Sequence, residues 1–188
     1  WFAWSLSKLG CTYREQGNLQ EAQQLIEKSL EIFKKNSYEN HPWFFDSLEN
    51  LGNTYGDLGN YEKAKDSLEE SLTLYEKAYG KGHLSTASVM MNLGRLQLLK
   101  GELQTAKNLT NTALRILEKN NHPQRYACLE LLADLHMKDA NQSNSLKKEV
   151  IAYLKKALEI AKTHLPSNSA HITNIQSKLN KHPSTHEK

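Results

Sequence analysis

The chain has 188 residues, 38% of them hydrophobic and 24% charged, enough apolar material for a core and too mixed for a disordered tail. Its 24 basic and 21 acidic residues leave a formal net charge of +3 and are scattered, which argues against the concentrated basic face of a nucleic-acid binder. No apolar run approaches the roughly 18 residues of a membrane span, and the opening Trp1-Phe2-Ala3-Trp4 gives way at once to Ser, Lys and Gly, unlike a signal segment.

The first predicted helix carries Leu6, Leu9 and Tyr13 at i, i+3 and i+7, one helical face. Gly10 has no side chain and lets a partner helix approach, and Gly17 stands where the helix must end in a left-handed residue. A second helix turns Ala22, Ile26, Ser29 and Leu30 inward, with small residues at the crossing, and runs on through Glu31 to Lys35. His41-Pro42 opens the next unit. The same frame returns 42 residues later as Leu48-x-x-Leu51-Gly52-x-x-Tyr55, Gly59, Ala64-x-x-x-Leu68 and Ser71-Leu72. It returns again as Met90-x-x-Leu93-Gly94, Gly101, Ala106 and Ala113-Leu114, with His83 and His122 in the place of His41. One hairpin cannot bury its own apolar face, so such units stack.

The fourth unit is irregular. Leu132-Ala133 replaces Leu-Gly, His136 takes the tyrosine place, and the turn swells across residues 138–145 before Val150, Leu154 and Ala157 resume the second helix. Counting onward places the next Leu-Gly pair at Leu179-Asn180 and makes 170–180 an unpaired capping helix, followed by a frayed tail at 181–188. The expected array thus spans 1–180, with repeats near 1–42, 43–84, 85–123 and 124–169. Because Trp1 follows directly on a missing His-Pro place with no polar cap before it, the array reads as a piece of a longer protein.

These positions resemble the tetratricopeptide repeat, whose pattern is W-x-x-L-G-x-x-Y followed by A-x-x-x-F. The 42-residue period looks like the long repeats of kinesin light chain and of bacterial multidomain signalling proteins. The resemblance implies an all-α fold, a right-handed superhelical α-solenoid of antiparallel helix pairs with four repeats and a C-terminal cap. It also implies a non-catalytic scaffold that binds a peptide or partner protein in a concave groove lined by the first helices. Carried onto this sequence, the groove is Ser7, Lys8, Cys11 and Arg14 in unit one, and Asp46, Glu49, Asn50 and Asn53 in unit two. Unit three gives Met91, Asn92, Arg95 and Leu98, and unit four gives Glu130, Leu131, Asp134 and Met137.

The asparagines offer donors and acceptors to an extended peptide backbone. Met91, Leu98, Leu131 and Met137 are either a hydrophobic anchor site for a partner or ordinary core. The lysine–asparagine clamp of chaperone-tail binders is not matched, since Ser7, Ser88, Glu49 and Ala127 stand at its lysine places. Asp46 and Glu49 also fit poorly with the acidic cargo peptides of kinesin light chain. Two other readings stay open: a regulatory sensor module of a larger signalling protein, and homo-oligomerisation through Trp1, Trp4, Trp43 and Phe44.

No nucleophile motif, paired catalytic carboxylates or HExxH pattern is present, so neither an enzyme nor a cofactor is expected. His41, His83 and His122 share one repeat position and read as structural residues of the turn, with no metal expected. Cys11 and Cys128, too far apart to be bridged, suggest a reducing, cytoplasmic setting. Cys11 lies beside Lys8 and Arg14 and is either a reactive thiol or a small packed side chain.

Overall fold

A computed structural model describes residues 1–138 and 144–181. Every element among them is a helix: α1 (Phe2–Glu15), α2 (Leu19–Lys35), α3 (Pro42–Asp57), α4 (Tyr61–Tyr79), α5 (Leu84–Lys100), α6 (Leu103–Lys119), α7 (Arg125–Lys138), α8 (Asn144–His164) and α9 (Ala170–Lys181). Among the described residues no helix is long and apolar enough to cross a membrane. The chain divides after Leu96 into two units, so α5 starts in the first and ends in the second.

In the first unit α1 packs on α2, α3 on α4, and α2 on α3. The two Leu-Gly glycines are closed by their partner helices. A Cβ on Gly10 would lie 2.6 Å from Ile26 Cγ1 and 3.0 Å from the Ala22 carbonyl oxygen; on Gly52 it would lie 2.6 Å from Leu68 Cγ and 3.1 Å from the Ala64 oxygen. The small serines of the second helices complete each crossing. Ser29 Oγ donates to the Ala3 carbonyl at 2.6 Å, and Ser71 Oγ donates to the Phe45 carbonyl at 2.9 Å. A larger residue would separate the helices, and alanine would leave each crossing without its bond. Gly17 and Gly59 end α1 and α3 at φ +83° and +78°, the left-handed conformation only glycine adopts cheaply.

The first helices differ in what covers them. Leu48 and Leu51 of α3 are buried between neighbours, whereas Leu9, at the equivalent place on α1, is 45% exposed. The buried residues of α1 are Ala3, Ser7 and Gly10. Of the four aromatics named for homo-oligomerisation, Trp1 is exposed, Trp4 and Trp43 are half-buried, and Phe44 is fully buried. Phe44 is core because it packs edge-on against Phe33 at 6.2 Å.

The repeated histidines act as helix caps. Nδ1 of His41 accepts from the Trp43 N–H at 3.2 Å, and His83 does the same for Ser85 at 3.2 Å. In the second unit His122 accepts from Gln124 N–H at 3.3 Å. The His41 and His83 imidazoles thus each satisfy an otherwise orphaned donor in a first helical turn, and that of His122 binds the residue just before α7.

The second unit packs α6 on α7, α7 on α8 and α8 on α9. His136 is buried in the tyrosine place, 5.5 Å from the Tyr153 ring and 3.4 Å from Glu149 Oε2. The swollen turn expected at 138–145 and the tail expected at 181–188 fall, but for their margins, outside the described residues. The register expected for α9 is corrected. Asn174 donates to Glu130 as Asn92 donates to Glu49 in the first unit, which puts Ile175 at the leucine place. Ile172 and Ile175 are the buried pair, and Leu179 holds the tyrosine place. One helical turn is missing between the cap, Ser169, and that pair: Ser169 Oγ already accepts from the His171 N–H at 3.3 Å.

Candidate functional site on the first helices

The site is built from the face that α1, α3 and α5 share in the first unit. On α3, Asp46, Glu49 and Asn53 follow at i, i+3 and i+7 and line one side of the helix. The residue before each leucine reaches back to the preceding first helix: Asn50 Nδ2 donates to Ser7 Oγ at 3.2 Å, and Asn92 Nδ2 donates to Glu49 Oε1 at 2.7 Å. Ser88 Oγ donates to the same oxygen at 2.8 Å. Tyr75, from α4, donates its hydroxyl to Asp46 Oδ1. Asp46 and Glu49, both expected to face a partner, are therefore tied to neighbours within the chain.

The electrostatics follow from this packing. Burial raises the Glu49 carboxyl to about 7 against the Ser88 and Asn92 hydrogen bonds and the Lys8 charge, and Asp46 adds to the rise. Burial also pushes the Cys11 thiol upward, more than Lys8 and Arg14 pull it down. A raised pKa disfavours the thiolate, so the reactive-thiol reading of Cys11 loses its support. Cys11 and Cys128 are both free thiols.

The remaining expected groove residues fall into three groups. Ser7, Met91, Leu98 and Leu131 are buried, and Met137 is half-buried. Arg14 is committed to Asp57 at 3.8 Å. Lys8 and Arg95 are exposed and Asn53 is half-buried. Lys8 lies 5.7 Å from the centre of the Trp4 ring.

In the second unit Glu130 and Asp134 are covered by α9. Lys178 Nζ sits 2.8 Å from Glu130 and 2.7 Å from Asp134, and Asn174 Nδ2 is 2.5 Å from Glu130. Sequence reasoning missed Ser88, Tyr75, Asn174 and Lys178 as partners of these acids. The readable signal was the recurring spacing: Ser7 to Asn50 and Glu49 to Asn92 are each 43 residues apart, and Glu130 to Asn174 is 44. Among the described residues no three His, Cys, Asp or Glu side chains gather as metal ligands would.

Comparison with known proteins agrees with this architecture. Tetratricopeptide-repeat family models match residues 2–42 and 43–119. No curated protein matches the chain in sequence. Among solved structures it is similar to the nearly identical TPR-like repeats assigned to a kinesin light chain of Podosopora anserina, with 26% identity, 94% of this chain and 83% of that one covered, and a TM-score of 0.69. BtubC (BKLC) from P. vanneervenii shares the fold at a TM-score of 0.70 and 22% identity, over 87% of this chain and 65% of that one. The apo form of RapI does so at 0.71 and 19%, over 95% and 69%. Two repeat models joined end to end, and a kinesin-light-chain neighbour along nearly the whole length, identify the chain: it belongs to the tetratricopeptide-repeat family, with repeats of the kinesin-light-chain-like type.

Proposed function

We propose that the chain is a non-catalytic scaffold that binds an extended peptide of a partner protein along the first-helix face of α1, α3 and α5. One observation carries this reading. The two carboxylates of that face are both hydrogen-bonded within the chain, whereas the side chains of Asn53, Lys8 and Arg95 make no hydrogen bond or ion pair among the described residues, Lys8 resting only over the Trp4 ring. Asn53 is a half-buried amide with a donor pair and an acceptor to offer a peptide backbone. Lys8 and Arg95 are exposed cations, so the groups left to meet a ligand are basic and amide. The ligand that suits them is an extended segment carrying acidic side chains, drawn in by charge and held by backbone hydrogen bonds.

Selection of a random displayed peptide library on the immobilised chain tests this. Enrichment of acidic peptides is the expected result, with affinity that falls as salt rises. Enrichment of basic peptides, or of none, would contradict it.

A further inference from the structure

A hollow of about 350 Å³ lies at the turn between α2 and α3, lined by Trp1, Phe33, Tyr38, His41 and Trp43. That is roughly a dozen water molecules' share of volume, and the hollow opens to solvent past Trp1 and Tyr38. None of its lining residues belongs to the peptide-binding face described above, and none is acidic.

The repeat itself shows what fills such a place. Phe33, His41 and Trp43 stand 42 residues before Tyr75, His83 and Ser85. At that second turn α4 continues to Tyr79, whose ring stacks on His83 at 4.7 Å and 24° and lies 6.2 Å from Tyr75. At the first turn α2 stops at Lys35, two residues earlier in the repeat. Ser37, the counterpart of Tyr79, sits at φ +58° and brings no ring, and Tyr38 stands at the rim, 58% exposed. His41 instead meets Trp43 at 4.6 Å, and Trp43 rests against Trp1 at 5.0 Å. The walls are aromatic, and the ring that stacks on the histidine of the second turn, Tyr79, itself 46% exposed, is replaced at the first turn by Ser37.

We propose that this hollow seats one aromatic side chain presented by a partner protein, packed against His41 and Trp43 as the chain's own Tyr79 packs on His83. Stacked and edge-on ring contacts hold it. Tyrosine fits best: Nδ1 of His41 is already an acceptor for the Trp43 N–H, so in the neutral ring Nε2 carries the proton and can donate to a hydroxyl. A cationic group would find rings but no counter-charge in the lining.

All three tryptophans of the chain, Trp1, Trp4 and Trp43, lie in this cluster, which makes fluorine NMR of 5-fluorotryptophan-labelled protein a direct readout. The probes are p-cresol, the tyrosine side chain alone, and tetramethylammonium. Titration with p-cresol is expected to shift the Trp1 and Trp43 signals saturably in the millimolar range, with tetramethylammonium at least tenfold weaker. Trp43→Ser, which installs the residue of the second turn, should weaken the p-cresol response read at Trp1 by tenfold or more. Should that variant lose its helical spectrum, Tyr38→Ala at the exposed rim is the substitute, with at least a threefold loss expected. A p-cresol shift that stays linear, an equal affinity for tetramethylammonium, or an undiminished response in the folded variant would overturn the proposal.

Discussion

The side-chain amide of Asn92 donates to Glu49 Oε1 at 2.7 Å, joining α5 to α3 one repeat earlier. Asn50 makes the equivalent bond to Ser7 and Asn174 to Glu130. The contact recurs because the residue before the leucine of one first helix and the residue two before the leucine of the preceding one meet wherever two such helices lie side by side. At these three places the repeat sets a polar pair at one fixed point, and the chemistry of the pair sets the character of the junction.

Glu49 gives this junction a pH dependence. Its carboxyl, raised mainly by burial to about 7, holds a proton in the folded state that the unfolded chain has already lost. Stability is therefore highest below the ordinary glutamate pKa and falls as pH rises through the folded value. The expected loss in wild type between pH 5 and pH 8 is about 1–2 kcal/mol, the partial exposure of Glu49 reducing the full effect. Glu49→Gln keeps an acceptor oxygen for Ser88 and Asn92 and should remove most of that slope. Urea denaturation of both proteins at the two pH values measures it, and equal slopes would refute the assignment.

Two glycines one turn apart on α3 should respond in opposite directions. Gly52→Ala places a Cβ against Leu68 Cγ and the Ala64 carbonyl, neither of which can swing aside, and should cost about 2 kcal/mol. Gly56 has only Leu96 Cδ1 within reach, at 3.9 Å, an ordinary contact. Gly56→Ala should then stabilise by about 0.5–1 kcal/mol through helix propensity. Denaturation midpoints decide between them, and a destabilised Gly56→Ala would show that the close approach is not confined to the Leu-Gly glycine.

Lys178 anchors α9 through Glu130 and Asp134. Burial alone would lower its pKa, but the hydrogen bonds and charges of those two acids outweigh it and the net shift is upward. The contribution is therefore complete at neutral pH and lost only as pH rises through the folded value. Lys178→Met leaves two partly covered carboxylates without their cation and should weaken α9 by about 1–2 kcal/mol. Amide hydrogen exchange should quicken in α9 and hardly at all in α6; unchanged protection of α9 would show that Ile172 and Ile175 hold it alone.

Much of this fold was legible in the residues because each repeated position has one physical task. Gly10 and Gly52 are glycine because a helix lies against them, Ser29 and Ser71 are small at a crossing, and Gly17 and Gly59 are left-handed. The register of α9 was misread because counting from the second helix assumes a constant turn length, while Ile172-x-x-Ile175 preserves the spacing of Leu48-x-x-Leu51 and was the better guide. Which of the expected groove residues are tied within the chain was not legible. Asp46 and Glu49 are bound by Tyr75, Ser88 and Asn92, which lie 29 to 43 residues away, and Met91 and Leu131 are buried.

The measurement that bears most directly on the binding face is the affinity of a library-selected acidic peptide for wild type, Asn53→Ala and Arg95→Glu, followed by fluorescence anisotropy. Loss of the Asn53 amide should weaken binding by about tenfold, the worth of one or two hydrogen bonds at a half-buried site. Reversal of charge at Arg95 should weaken it further and flatten its salt dependence. Affinities equal to wild type in both folded variants would contradict the proposal that the peptide lies on the first helices of the first unit.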